Sequence, residues 1–145
     1  MILPDVNVLV YAHRADSRLH EPCRDWLQGL VEGDDEIALV DTALAGTVRV
    51  VTNRAAFADP TPVAHAVAFV EWVASAARAR WISSGDETWR QFRRFAEPDA
   101  GIAGNRVPDA YLAAVAVTHG ARLATADRGF ARYPGLRFFD PASPA

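Results

Sequence analysis

The sequence predicts an α/β fold: a mostly parallel sheet carrying helices on both faces. Two observations predict it. Short apolar runs alternate along the chain with longer stretches of helical periodicity. Those runs are also nearly continuous in apolar character rather than alternating with polar residues, as befits strands covered on both sides. A length of 145 residues, half of them hydrophobic, suits one domain with a sizeable core.

Ile2 to Asp5 reads as a buried first strand ending in an acid, and Asn7 to Ala12 continues as an apolar helix start. His20 to Val31 places Cys23, Trp26, Leu27, Leu30 and Val31 at helical offsets, and Gly33 stops that helix. Glu36 to Val40 is a second strand with Asp41 at its end. Helical spacing then runs from Thr42 to Thr52, with Leu44, Val48 and Val51 on one face. A polar loop over Asn53 to Pro62 leads to a helix from Val63 to Ala77, striped by Val63, Val67, Val70 and Ala74. Trp81 to Ser83 is the weakest strand. Glu87 to Phe95 is a helix expected to face Trp89, Phe92 and Phe95 inwards. After a glycine-bearing loop, Pro108 stands where proline favours a helix start, Asp109 to His119 forms that helix, and Gly120 stops it. Arg122 to Thr125 and Leu136 to Phe139 complete the strands. Residues 1–140 are expected to form the domain and residues 141–145 a frayed tail.

Composition removes several chemistries. All 15 basic residues are arginine, so no reaction needing a catalytic lysine is open to this chain. That also argues against a phosphoaspartyl enzyme or receiver domain, whose phosphorylated carboxylate needs a lysine partner. One cysteine, Cys23, excludes an intrachain disulfide and a cysteine-based zinc site, and the four histidines lack ligand spacing. No apolar run approaches the roughly 20 residues of a membrane span. Asp5 and Asn7 interrupt the N-terminal apolar stretch, which therefore does not read as a signal peptide. The expectation is a cytoplasmic protein.

Parallel sheets bind ligands beyond the carboxyl ends of their strands. Asp5 and Asp41 end strands, Asp127 lies just past another, and Asp109 opens a helix that should approach the same edge. Ionised carboxylates brought together repel unless a cation neutralises them, and oxygen-only ligands suit Mg²⁺ or Mn²⁺. Asp5 is the most telling, because it interrupts an apolar stretch where an unpaired carboxylate is costly.

These segments resemble PIN-domain ribonucleases, particularly the VapC toxins of toxin–antitoxin pairs. The resemblance lies in Ile2-Leu-Pro-Asp5-Val-Asn7-Val, in Leu44-Ala-Gly-Thr-Val-Arg49, in Gly104-Asn105-Arg106-Val-Pro108-Asp109-Ala-Tyr-Leu, and in Thr125-Ala-Asp127-Arg128-Gly-Phe130. It spans essentially the whole chain, in order. It implies a PIN-like three-layer α/β/α sandwich and a Mg²⁺-dependent endoribonuclease, with Mn²⁺ as a substitute. A cognate VapB-like antitoxin, a homodimer, and no DNA contact of its own are also implied. The family's metal-binding acids map onto Asp5 and Asp109, with Asp127 a further member of the pocket. Asn7 takes a position that commonly lines it. Many relatives carry a glutamate around Leu44, for which Asp41 is the candidate substitute, and a second acid where this chain has Gly129.

The expected reaction is in-line attack of a metal-activated water on an RNA phosphodiester, with Asp127 and Asp41 orienting the water. Arg49, Arg106 and Arg128, with Arg54 and Arg132, lie in segments flanking the acidic edge and are expected to meet phosphates, whatever the formal net charge of −3. The alternative is a catalytically weakened PIN-like module that binds RNA or a partner, which the Leu44 and Gly129 departures favour.

Overall fold

Five short strands lie side by side in the computed structural model, which describes residues 1–143. They are Ile2–Pro4 (β1), Ile37–Leu39 (β2), Ala79–Trp81 (β3), Arg122–Ala124 (β4) and Phe138–Phe139 (β5), in the order β3-β2-β1-β4-β5. Every neighbouring pair is parallel, and Ile2 stands opposite both Ile37 and Arg122. The chain begins at the centre, builds outward through β2 and β3, then returns to the other side of β1 for β4 and β5. The winding therefore reverses between β1 and β4, and a crevice opens beyond their carboxyl ends.

Six helices cover the sheet: Val6–His13 (α1), His20–Glu32 (α2), Asp41–Val51 (α3), Val63–Ala74 (α4), Asp86–Ala96 (α5) and Arg106–Thr118 (α6). Alternation along the strands divides the core between the two faces. Leu3, Ala38, Val40 and Leu123 pack with Phe95 and the alanine-rich face of α6. Ile37 and Leu39 pack instead with Val8, Leu9, Cys23, Leu27, Leu30 and Val73. Three layers result, as expected. Cys23 is fully enclosed in this second cluster, and burial pushes its thiol up to about 11, so it packs as a small hydrophobe.

Several elements depart from expectation. The α4 stripe is shifted: Ala66, Val70 and Val73 are buried, while Val63 and Val67 are 62% and 44% exposed. A helix made apolar nearly all round gives periodicity little to choose between. Trp89, expected to face inwards, is 53% exposed, although Phe95 on the same helix is buried. The third strand is Ala79–Trp81 rather than Trp81 to Ser83, and as an edge strand it shows Trp81 to solvent. α6 starts at Arg106, so Pro108 is its third residue, still in the first turn where a missing N–H costs nothing. A 3₁₀ turn over Arg128–Arg132 has no counterpart in the sequence reading. Of the expected tail, Pro141 is buried and Ala142 packs on the core beneath an Asp140 side-chain hydrogen bond; residues 144–145 lie outside the described residues.

Candidate active site

Asp5 follows β1 and Asp127 follows β4, the two strands flanking the reversal of winding. Asp5 caps α1: its Oδ1 accepts from the Val6 N–H at 2.7 Å, while its Oδ2 accepts from the Thr125 hydroxyl at 2.7 Å. The side chain is 4% exposed. Burial pushes this carboxyl up to about 6 against the pull of the Thr125 and Val6 hydrogen bonds, and the nearby charges of Asp109 and Asp127 push it the same way.

Asp109 projects from the first turn of α6. It is raised above the usual carboxylate range by burial first and by Asp127 second, against the pull of the Arg106 guanidinium. Asp127 caps the 3₁₀ turn, its Oδ1 accepting from the Gly129 N–H at 2.7 Å. A Cβ on residue 129 would stand 2.9 Å from that oxygen, so the glycine is what lets the carboxylate lie there. Asp5, Asp109 and Asp127 thus act on one another as like charges, and among the described residues no arginine or histidine forms an ion pair with any of them.

Thr125 ties these groups together, and sequence reasoning assigned it no role. Its hydroxyl donates to Asp5 and accepts from the Asp127 N–H at 3.1 Å and from the Asn7 amide at 3.3 Å. The available signal was a lone hydroxyl at the end of an apolar strand, two residues before an acid. Asn7 is engaged here, with its Oδ1 3.5 Å from the Ala126 N–H, and it lines neither cavity described below.

Asp41 does not join the group. It is exposed at the start of α3, its Oδ1 accepts from the Thr42 N–H at 2.7 Å, and it is not among the charges acting on Asp5. Leu44, the position it was expected to replace, packs in the core. The face of α3 turned to the site is Thr42, Ala45, Gly46 and Arg49, one helical step round.

Asp109 forms the wall between two cavities. One, of about 610 Å³, also includes Asp5 and is otherwise largely apolar, with Val6, Trp89, Phe92, Leu112 and, at one end, Arg49. The rings of Trp89 and Phe92 lie 5.2 Å apart. The other, of about 300 Å³, is polar and brings Asp109 and Asp127 together with Arg106, Arg132 and Tyr133. Arg128 is exposed and lines neither.

Among the described residues no three His, Cys, Asp or Glu side chains stand ready to enclose a cation on their own. The donor chemistry nevertheless fits Mg²⁺, which prefers oxygen, keeps several waters and is commonly held by one or two carboxylates with phosphate completing the shell. Asp5 and Asp109 share one cavity, Asp109 and Asp127 the other, and among the described residues none of the three forms an ion pair, although Arg106 acts on Asp109 from the second cavity.

The parallel α/β fold, reversed in winding between β1 and β4, defines a class, and comparison with known proteins names the family. The PIN domain family model matches residues 2–136. The chain is 44% identical to Ribonuclease VapC43 of Mycobacterium tuberculosis, over 97% of this chain and 95% of that protein. It is 36% identical to Ribonuclease VapC31 of the same species, over 97% and 99%. Its fold is similar to that of VapBC2 from Rickettsia felis, solved bound to a DNA fragment from its promoter: TM-score 0.69, 22% identity, 97% of this chain and 98% of the other. VapBC-1 from nontypeable Haemophilus influenzae gives a TM-score of 0.66 at 16% identity, over 99% and 100%. The chain belongs to the PIN domain family, and within it to the VapC ribonucleases.

Proposed function

We propose that the protein is a Mg²⁺-dependent endoribonuclease, the toxin of a VapBC-type pair, and that Mn²⁺ can replace Mg²⁺. One observation carries the reading: Asp5, Asp109 and Asp127 lie beside the switch point with no ion pair among the described residues, and the burial of Asp5 makes its charge costly unless something positive is bound. Asp5 and Asp109 would hold the ion, with Asp127 contributing from the far side of Asp109. When bound, such an ion polarises a phosphate and acidifies water.

The residues have separable tasks. The Thr125 hydroxyl and Val6 N–H fix both oxygens of Asp5, so it presents its remaining lone pairs in one orientation. Asp127 keeps one oxygen on Gly129 and offers the other to the attacking water. That water forms the new P–O bond and gives up a proton to solvent, while the opposite P–O bond breaks and the departing ribose oxygen takes up a proton from solvent. Arg49 and Arg106, at opposite cavities, and the exposed Arg128 meet the RNA phosphates. Asn7 supports Thr125 rather than RNA.

The apolar cavity with its exposed Trp89 suits a hydrophobic segment of a VapB-like antitoxin, in keeping with the VapBC structures that share this fold. A homodimer in the cytoplasm completes the reading. Purified protein and its Asp109→Asn variant, incubated with cellular RNA and Mg²⁺, test it: cleavage by the parent and none by the variant is expected. Equal cleavage by both would remove the proposed role of Asp109. The rival reading, a decayed binding module, requires RNA binding without cleavage by the parent.

A further inference from the structure

The polar cavity beyond Asp109 contains more than the reaction needs. Arg106 and Arg132 approach each other there over Gly101. The Nη2 of Arg132 and Nη1 of Arg106 lie 3.4 and 3.5 Å from where a Cβ on that residue would stand. The atom nearest that point is Asp99 Oδ1, at 3.0 Å, so a carboxylate stands beside both guanidinium groups there. Asp109 and Asp127 line the same cavity, so carboxylates face the two guanidinium groups across it. The one carboxylate in ion-pair range is Asp99, 3.5 Å from the Nε of Arg132, while Arg106 reaches only the Gly101 carbonyl at 3.4 Å.

Tyr133 forms the floor. The residue is 4% exposed, packed between Phe95 and Phe130 at ring distances of 5.1 and 5.7 Å. Every fully enclosed side-chain polar atom among the described residues has a hydrogen-bond partner. The Tyr133 hydroxyl has no protein partner among them and opens instead into the cavity, where Arg106, Arg132, Asp99 and Asp109 all act on it. An accessible hydroxyl with no protein partner is free to donate to an acceptor that enters the cavity. Two arginine forks and one phenol O–H line a space of about 300 Å³ that Asp109 and Asp127 also line. Such donors match a tetrahedral oxyanion better than a flat, apolar base.

We propose that Arg132, Tyr133 and Arg106 form a clamp for an RNA backbone phosphate neighbouring the scissile one, with Arg132 and Tyr133 as substrate-positioning residues. This rests on the ribonuclease reading and adds to it a direction: the strand passes from the polar cavity over Asp109, with one phosphate held on the 3₁₀-turn side of the acids. The contact is blind to sequence. It sets register and affinity and leaves base choice to other surfaces.

Binding of a fluorescein-labelled single-stranded oligoribonucleotide of mixed sequence, followed by anisotropy against NaCl concentration, tests the clamp. Arg132→Gln should weaken binding about tenfold at low salt and flatten the logarithmic salt slope by about 0.7, one phosphate contact on a single strand. Tyr133→Phe, which keeps the packing, should weaken binding about fivefold and leave the salt slope unchanged, since a neutral hydroxyl releases no counterion. In cleavage both should raise KM more than they lower kcat. Inorganic phosphate should compete with the RNA in the parent, and acetate at equal ionic strength should not. Unchanged affinity and slope in both variants overturns the clamp while parental cleavage leaves the ribonuclease reading intact; absence of both RNA binding and cleavage in the parent overturns both. Equal competition by acetate, or loss of inorganic-phosphate binding without loss of RNA binding, would mark a general anion site and overturn the assignment to the RNA backbone.

Discussion

Asp5 and Asp41 occupy equivalent places, each at the carboxyl end of a central parallel strand and each at the start of a helix, yet they differ in almost every physical respect. Asp5 is buried at the reversal of winding, held at both oxygens, and pushed up to about 6. Asp41 follows β2, whose two neighbours belong to the same direction of winding, and it is an exposed residue bonded to the next N–H. Strand-end position alone does not make a site. The gap left where β1 and β4 part company does, because only there can two connections diverge and leave carboxylates facing a shared space.

The sharpest way to break this comparison is to neutralise each acid in turn. Asp5→Asn and Asp109→Asn should lower the RNA-cleavage rate by about 1,000-fold or more, corresponding to several kcal/mol of lost charge stabilisation, whereas Asp41→Asn should stay within about twofold. Comparable losses at Asp5 and Asp41 would erase the distinction.

Stability should move the opposite way. With a native carboxyl near 6 and an unfolded one near 3.8, the folded chain binds more protons between about pH 4 and pH 6, so stability is lost as pH rises through that window. The ceiling on this cost is about 3 kcal/mol at neutral pH. Asp5→Asn should therefore unfold at higher denaturant than the parent at pH 7.5 in EDTA, and denaturation curves across the window should show a weaker pH dependence, with the part due to Asp109 remaining. Asp41→Asn should leave the parental pH profile in place.

Thr125→Val should cost about 1–3 kcal/mol, because it leaves an oxygen of Asp5 buried without its donor, and it should raise the Asp5 carboxyl further. Thr125→Ser should restore both in chemical denaturation and in the pH profile. Gly129→Ala, crowding Asp127 rather than removing it, should reduce cleavage about tenfold with little effect on denaturation midpoint.

Much of this molecule is legible in its sequence, and the misses share a cause. The order of elements and the parallel sheet follow from periodicity, Asp5 stands out as a charge set in an apolar run, and Asp109 and Asp127 are candidates through a helix start, a strand end and the family resemblance. Asp41 is legible in the same way and misplaced, because a strand's rank in the sheet is not written in its own residues. Trp89 sits at helical spacing with Phe92 and Phe95, but it is one step round the helix and faces a cavity that α1, α3 and α6 line from other parts of the chain. Thr125 and Tyr133 matter through what surrounds them, 120 residues away in one hydrogen bond and across an aromatic stack in the other.

Calorimetric titration of the metal-free protein with Mn²⁺ addresses the site most directly. The parent and Asp41→Asn should bind the ion alike, while Asp5→Asn and Asp109→Asn should each lose most of that heat. Retention of full Mn²⁺ binding by Asp5→Asn or Asp109→Asn, or its loss in Asp41→Asn alone, would contradict the assignment of the cation to the crevice between β1 and β4.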